Sequence, residues 1–368
     1  MKTKYAPFII VSISVLLTGI SMDLFGATIN VPGDYATIQA AIGVASDGDI
    51  INIASGTYTE AGIKINKSVT IQGQGQSNTI VQAQRPGPRP SDVVFDIPVT
   101  PRLMVTIKDL TAQYGTIGIY TRNMGTLTLS TCTLRSNSGI TLEAFGGITH
   151  DGRGTVALTD CTISSNGWGG ILTRYGTSIL TNCTLSYNDV GIWNGATSIL
   201  TNCTIFGSSF AYGVFNCDGT TTFINCTLSN NEVTGIFNED GVVEIKNTII
   251  ADNAAGEGGS DVEGTITSLD HNLIENIGDA TIEGITTHNI YGQGPMLLPL
   301  ADNGGFTQTC ALQEGSPAIN AGTDEGAPST DQRGYDRVGA SDIGAYEYVE
   351  TIIPAVQQTT WGQIKAQF

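Results

Sequence analysis

The sequence predicts an all-β chain wound as a single-stranded, right-handed parallel β-helix, a solenoid of about 22-residue coils with a short capping helix at its N-terminal end. Three observations predict it. The first is composition: 46 glycines among 368 residues, with abundant Thr, Asn and Ser, favour strands and tight turns over helices. The second is a set of repeating columns that share one period. The third is a single stretch of helical periodicity, residues 34–45, placed just ahead of the first coil.

The first element is an export signal over residues 1–27. Lys2 and Lys4 precede an apolar run from Phe8 to Leu17, and Gly26 and Ala27 offer a small-residue cleavage region. The run is too short for a membrane span, and no second long apolar segment follows, so the mature chain is expected to carry no span. In the next element, "DYATIQAAIGVA", Ile38, Ala41, Ile42 and Ala45 fall on one helical face. Such a helix closes the open edge of the first coil, which would otherwise offer unpaired strand to solvent.

The solenoid spans residues 28–290, cap included. Its clearest word is "SILTNCT", which stands at 178–184 and again, letter for letter, at 198–204. Aligning on its leucine gives the column Ile107, Leu129, Leu158, Leu180, Leu200, Phe223, Ile245, with steps of 22, 29, 22, 20, 23 and 22. Three residues on, the column reads Leu110, Cys132, Cys161, Cys183, Cys203, Cys226, Thr248. Two further on it reads Ala112, Leu134, Ile163, Leu185, Ile205, Leu228, Ile250. A separate Gly-Ile/Val column runs through Gly118, Gly139, Gly170, Gly191, Gly213 and Gly235. Alternation within each short run sends one side chain in and the next out, so each column becomes a ladder up a shared core that no single coil could bury alone.

On this reading the cysteines are buried thiols in a small-residue ladder, since stacked side chains point the same way. Asn182 and Asn202 then sit at a bend rather than in a glycosylated loop, because Asn tolerates left-handed backbone and bonds its neighbours there. Residues 291–349 form a separate acidic C-terminal region. The tail 350–368 ends in "TTWGQIKAQF", with Trp361, Ile364 and Phe368 on one helical face, and reads as a short helix or a sorting tag.

The stretch "TIQAAIGVASDGDIINIASGTYTE", followed by "INKSVTIQGQG", resembles the opening coils of bacterial β-helix proteins and of pectin methylesterases in the pectin-lyase-like superfamily. Residues 294–348, with "NGG", "GSPAI", "DQRG" and "DIGAYE" in order, are similar to the C-terminal region of secreted bacterial proteins of the choice-of-anchor Q type, and "HNLIE" matches that family's "NLI" coil. The resemblance implies architecture and export to the medium or cell surface. It implies no reaction: pectin methylesterase and polygalacturonase signature strings are absent.

Charge narrows the partners. Residues 1–231 carry 12 Lys/Arg against 13 Asp/Glu, whereas residues 232–350 carry only Lys246, Arg333 and Arg337 against 21 acidic groups. Phosphate neutralisation needs the opposite sign, which disfavours nucleic acid. A polysaccharide or cell-envelope component is the expected partner, and the chain is expected to be monomeric.

Candidate chemistry concentrates in the oversized coil, the 29-residue step, whose insertion "LEAFGGITHDGRG" supplies Glu143, His150 and Asp151. Counting four residues from each column glycine stacks Arg122, Glu143 and Arg174 on successive coils, either a catalytic set for an acidic glycan or a structural Arg–Glu–Arg ladder. Pectate-lyase-like enzymes hold calcium with carboxylates and abstract a proton α to a uronate carboxyl with Arg or Lys, so the resemblance leaves a lyase open.

The residue after each Gly-Ile/Val pair gives an outward stripe containing Tyr120, Trp193, Phe215 and Phe237, which Trp168 and Tyr175 extend. Such a stripe either stacks on sugar rings or stiffens the sheet by stacking on itself. No cofactor is required; Asp324, Asp331, Asp336 and Asp342 (with Glu325) are candidate calcium ligands, or partners of Arg333 and Arg337. His150, His271 and His288 lie far apart in sequence, and His271 occupies a coil position. Three functions remain: non-catalytic carbohydrate or envelope binding and adhesion, a polysaccharide lyase, or a structural stalk.

Overall fold

The computed structural model describes residues 26–84, 92–99, 102–139, 144–210, 212–253 and 259–350. The chain is a parallel β-helix. It opens with strand Thr28–Val31, passes through the helix Ile38–Val44, and winds until the last strand, Ile290–Tyr291. Each full coil contributes one strand to each of three parallel sheets, which hold 12, 11 and 9 strands among the described residues because the end coils are incomplete; they are called the first, second and third sheets in the order the chain meets them within a coil. Most of the predicted signal segment and the tail beyond residue 350 lie outside the described residues. Among the described residues no helix is long and apolar enough to cross a membrane.

The expected cap is present. Thr37 stands at its N-terminus and accepts a hydrogen bond from the Ala40 amide, and the Glu60 carboxylate accepts from the amides of Ile38 and Gln39 at 2.9 and 2.8 Å. These are the first-turn donors that a helix leaves unsatisfied. Ile38, Ala41 and Ile42 are buried against the first coil.

One coil shows why the repeat folds as it does. Thr177–Thr181 lies in the first sheet, with Ser178 and Leu180 inward. The chain then turns at Asn182, whose φ of 54° is left-handed, and enters the second sheet as Thr184–Ser186. A second left-handed residue, Tyr187, turns it toward the third sheet, Ile192–Asn194. Identical registers carry Leu180 onto Leu158 and Leu200, and Leu185 onto Ile163 and Ile205. The cysteine column is buried and unbridged. Each thiol of the column donates to the carbonyl two residues before it, as Cys183 does to Thr181 at 3.2 Å and Cys203 to Thr201 at 3.3 Å. Burial pushes the thiols of Cys132, Cys183 and Cys226 well up, so they stay protonated and unreactive.

An asparagine ladder unseen in the sequence lines the turn between the second and third sheets. Asn137, Asn166 and Asn188 are buried, and each amide of the lower residue donates to the side-chain oxygen of the next at 3.0 Å. After Ser208 the ladder resumes with Asn231 and Asn253 and ends on the Asp261 carboxylate. These side chains satisfy backbone groups that the tight turn leaves without ladder partners.

The glycine column needs one correction. The oversized coil contains two Gly-Ile pairs, and the hydrogen bonds select the second: Ile119 pairs with Ile148, so Gly147 rather than Gly139 occupies the column. The reason is close approach. A Cβ at Gly147 would lie 2.1 Å from the Gly170 carbonyl oxygen, and one at Gly191 would lie 2.3 Å from that of Gly213, so each coil's glycine makes room for the next coil's backbone. Gly139 is instead a left-handed turn residue at φ 66°.

The C-terminal region folds back along the solenoid as a strap with almost no regular structure. It covers the outer face of the second sheet, where Ile249, Ala251 and Leu273 pack against Leu312, Ala318 and Ile343. Gln332 bonds to Thr184 and Thr204 on neighbouring coils, Arg337 to Asn202, and the Asn247 side chain to the backbone of Thr323.

Candidate functional site

The third sheet keeps its outer face largely free of the strap. Along the strands one residue faces out between neighbours that face the core: Ile192 and Asn194 are buried around a half-buried Trp193, and Val214 and Asn216 around Phe215. Register therefore assembles one outward row, Asp96, Tyr120, Thr149, Leu172, Trp193, Phe215 and Phe237, a coil apart from each other. All four predicted stripe aromatics lie on it. With strands about 4.8 Å apart, the row runs along the solenoid axis.

Its C-terminal half is aromatic. Trp193 meets Phe215 edge-on with centroids 6.0 Å apart, Phe215 stacks on Phe237 at 5.3 Å, and Tyr212 lies 5.6 and 5.1 Å from those two phenylalanines. The stripe is thus both outward-facing and self-packed. Beyond Phe237 the surface opens into a cavity of about 540 Å³ lined also by Ser260, Val262, Glu263 and Asp279. Midway, Leu172 is sealed beneath Phe145, a residue of the oversized coil that packs with Val190 beside Trp193. That plug separates the aromatic half from a polar one. Trp168 and Tyr175 are exposed.

The polar half is built on the residues that directly follow the third-sheet strands. Arg122, Asp151 and Arg174 stack on successive coils, because Asp151 donates its amide to Thr121 and Arg174 donates to His150. Arg174 Nη1 lies 2.8 Å from Asp151 Oδ1, Tyr120 donates its hydroxyl to Asp151 Oδ2 at 2.9 Å, and Arg122 pairs with Asp96. The Arg122 guanidinium lies over the Tyr120 ring, 4.5 Å from its centroid, and its Nε is buried with no hydrogen-bond partner among the described residues. Burial, then the bond to Asp151, raises the Tyr120 hydroxyl above its ordinary value despite the two arginines, so it remains a proton donor at neutral pH.

The expected Arg–Glu–Arg stack is an Arg–Asp–Arg stack. Glu143 lies outside the described residues, and the shift from Gly139 to Gly147 puts Asp151 at the position assigned to it. The same shift places His150, which as part of the insertion is expected on an exposed loop, in a strand. It ends the strand Ile148–His150, faces the core between Thr121 and Thr173, and is 1% exposed, with no partner for Nδ1 among the described residues. Burial lowers its pKa to about 4, so it is neutral and cannot serve a reaction on the outer face. The structure thus brings together Tyr120, Arg122, Asp151 and Arg174, adds Asp96, and sets His150 behind them.

The C-terminal carboxylates serve the strap. Asp331 is fully buried and pairs with Arg333 at 2.7 Å while accepting from the amides of Tyr335 and Glu347; Arg337 pairs with the equally buried Glu347 at 2.9 Å. Asp342 accepts from the amides of Asn320 and Tyr348, and burial raises its pKa to about 6. Asp324 accepts from Ser341, and Asp336 forms a backbone bridge to Thr330. The pairing expected for Arg333 is therefore found, whereas Arg337 takes a carboxylate outside the predicted set.

Known proteins share this architecture. A family model described as the right-handed beta helix region matches residues 118–292. No match was found among curated protein sequences. Among solved structures the chain is similar to pectate lyase Pel9A at 17% identity, over 88% of this chain and 96% of that one, with a TM-score of 0.58. It also matches the A-module of the mannuronan C-5 epimerase AlgE4 of Azotobacter vinelandii, with 15% identity, 74% and 97% coverage and a TM-score of 0.48. A third match is an alginate lyase of Paenibacillus sp. str. FPU-7, with 12% identity, 73% and 98% coverage and a TM-score of 0.46. The first of these shows a common fold, and none carries residues over to this chain.

Proposed function

We propose that this is an exported, surface-acting β-helix that binds a polysaccharide chain lengthwise on the outer face of its third sheet. The observation that carries the reading is the single in-register row that carries both the Tyr120–Arg122–Asp151–Arg174 cluster and the Trp193–Phe215–Phe237 stack, on either side of the Phe145 plug. Strands about 4.8 Å apart repeat the outward side chains along the solenoid axis, so within each half a chain laid lengthwise meets one coil after another. The aromatic half offers ring edges and faces to the apolar side of a sugar. In the polar half, half-exposed ion pairs worth about 0–1 kcal/mol can exchange a partner carboxylate for one on a uronate.

A second reading rests on one contact. The phenol of Tyr120, held by Asp151 between two guanidinium groups, is a proton donor set beside a carboxylate, the kind of pairing that acid/base cleavage of an acidic glycan uses. A pectate lyase of this fold makes polygalacturonate the first probe. Polygalacturonate and alginate are titrated by calorimetry, with unsaturated product followed by ultraviolet absorbance. Binding without product, weakened at least ten-fold in both Arg174→Ala and Trp193→Ala, supports the binding reading. Product formation abolished in Tyr120→Phe replaces it with the lyase, and no binding to any acidic or neutral glycan removes both.

A further inference from the structure

At the C-terminal end of the solenoid the turn between the first and second sheets changes character. Through the body this turn carries left-handed Asp160, Asn182, Asn202, Asn225 and Asn247. In the last two coils the corresponding place is taken by His271 and His288. The Asn272 backbone amide donates to the side-chain oxygen of Asn289 in the next coil at 2.9 Å, and Leu273 pairs with Ile290, so residues 17 apart lie one above the other. The two imidazoles are stacked, with centroids 4.5 Å apart and planes inclined by 17°. Asp270, itself left-handed like His271, turns its carboxylate into the same place.

Three ligand atoms converge there. His288 Nδ1 lies 2.7 Å and His271 Nδ1 3.5 Å from Asp270 Oδ2, and the three groups present ligand atoms all within 4.8 Å of one another. His271 Nδ1 is buried and has no hydrogen-bond partner among the described residues, an orphaned polar atom aimed at a carboxylate. Asp270 Oδ1 accepts from the His288 amide at 2.8 Å, which holds the carboxylate in place. Consecutive non-glycine residues in the left-handed region are costly and persist where the surroundings or a function hold them.

We infer that Asp270, His271 and His288 form a site for one divalent transition-metal ion, of which zinc suits the ligands best, stapling the last two coils together. Two imidazole nitrogens and a carboxylate oxygen are a donor set that zinc and non-haem iron both accept, and ligand atoms in a tetrahedral zinc site sit about 3.3 Å apart, so small side-chain rotations close the cluster. On binding, the proton that His288 Nδ1 shares with Asp270 leaves that nitrogen, either to the exposed Nε2 or to solvent, and the freed lone pair takes the metal. The site is distinct from the proposed glycan surface: it stands at the turn between the first and second sheets, not on the third sheet. Its role is to hold the last strand of the first sheet, Thr281–Ile285, most of which is exposed to solvent.

The full chain, stripped with chelator and dialysed, is titrated with zinc chloride by calorimetry and with cobalt(II) by visible absorbance. One equivalent is expected, with the intense d–d bands of a four- or five-coordinate site and slower hydrogen exchange in residues 281–291. His288 is largely exposed, so His288→Ala leaves the fold intact and should weaken binding at least ten-fold, as should Asp270→Asn. Absence of binding, or binding undiminished in both variants, as adventitious capture by Cys217 or the acidic strap would give, overturns the assignment.

Discussion

The second and third sheets are built from the same coils, yet their outer faces meet opposite fates. On the second sheet the outward threonines Thr184, Thr204 and Thr227 are buried beneath the strap, each bonded to it. On the third sheet the outward row includes Tyr120, Trp193, Phe215 and Phe237, which stay half-exposed, and only Thr149 and Leu172 between them are covered, by Phe145 of the same face. A short β-branched residue with one hydroxyl suits a face that another segment covers, and a ring suits a face left for something larger. The contrast teaches that inner columns build the solenoid while outer columns decide which side is sealed and which side works.

That contrast can be broken from the sealed side. Arg337→Ala leaves Glu347 buried without its cation, a change that costs about 3–5 kcal/mol. Denaturant unfolding should show the loss, and limited proteolysis should release the strap while glycan binding on the third sheet persists. Binding lost together with the strap would mean that the two faces are not independent.

The next effect is confined to the third sheet. His150 has its folded pKa lowered to about 4 by burial, so the neutral ring is favoured in the folded state and the unfolded state binds the proton first as pH falls. Its contribution is complete above the unfolded pKa of about 6.5 and is lost as pH falls toward 4, amounting to about 3 kcal/mol. In His150→Thr, which matches Thr121 and Thr173 of the same row, unfolding followed from pH 7 to pH 4 should lack that slope; an unchanged slope would place the titration elsewhere.

The smallest expected change in stability sharpens the comparison most. Arg122→Ala removes a half-exposed pair to Asp96 and should shift stability by about 0–1 kcal/mol. The same variant should reduce binding of an acidic glycan at least ten-fold while leaving a neutral one little affected. Equal losses on both would assign Arg122 to packing over Tyr120 rather than to charge recognition.

The inner architecture was legible because identity itself repeats: leucine, cysteine and isoleucine recur at fixed offsets. The asparagine ladder was equally legible in principle. Asn137, Asn166, Asn188, Ser208, Asn231 and Asn253 each stand five residues after the cysteine column, but they were hidden by their variable distance to the column glycine. The oversized coil defeats alignment because Gly139-Ile140 and Gly147-Ile148 look alike in sequence, and only the pairing of Ile119 with Ile148 separates them. The charge pattern of the candidate site survived that error with a different carboxylate. His271 and His288 were illegible because the final coil is only 17 residues long and falls outside the period that organised everything before it.

Removing residues 178–197 would join Thr177 to the second "SILTNCT" and leave a sequence with no visible seam. A chain built this way can lengthen or shorten by whole coils through simple duplication or loss. The strap cannot. Its contacts are spaced along neighbouring coils: Gln308 on Thr184, Gln332 on Thr204, Ala345 on Thr227 and Thr323 on Asn247. It acts as a ruler laid against a stack of interchangeable plates, so one coil more or fewer beneath it would put its marks out of register and expose the sealed face.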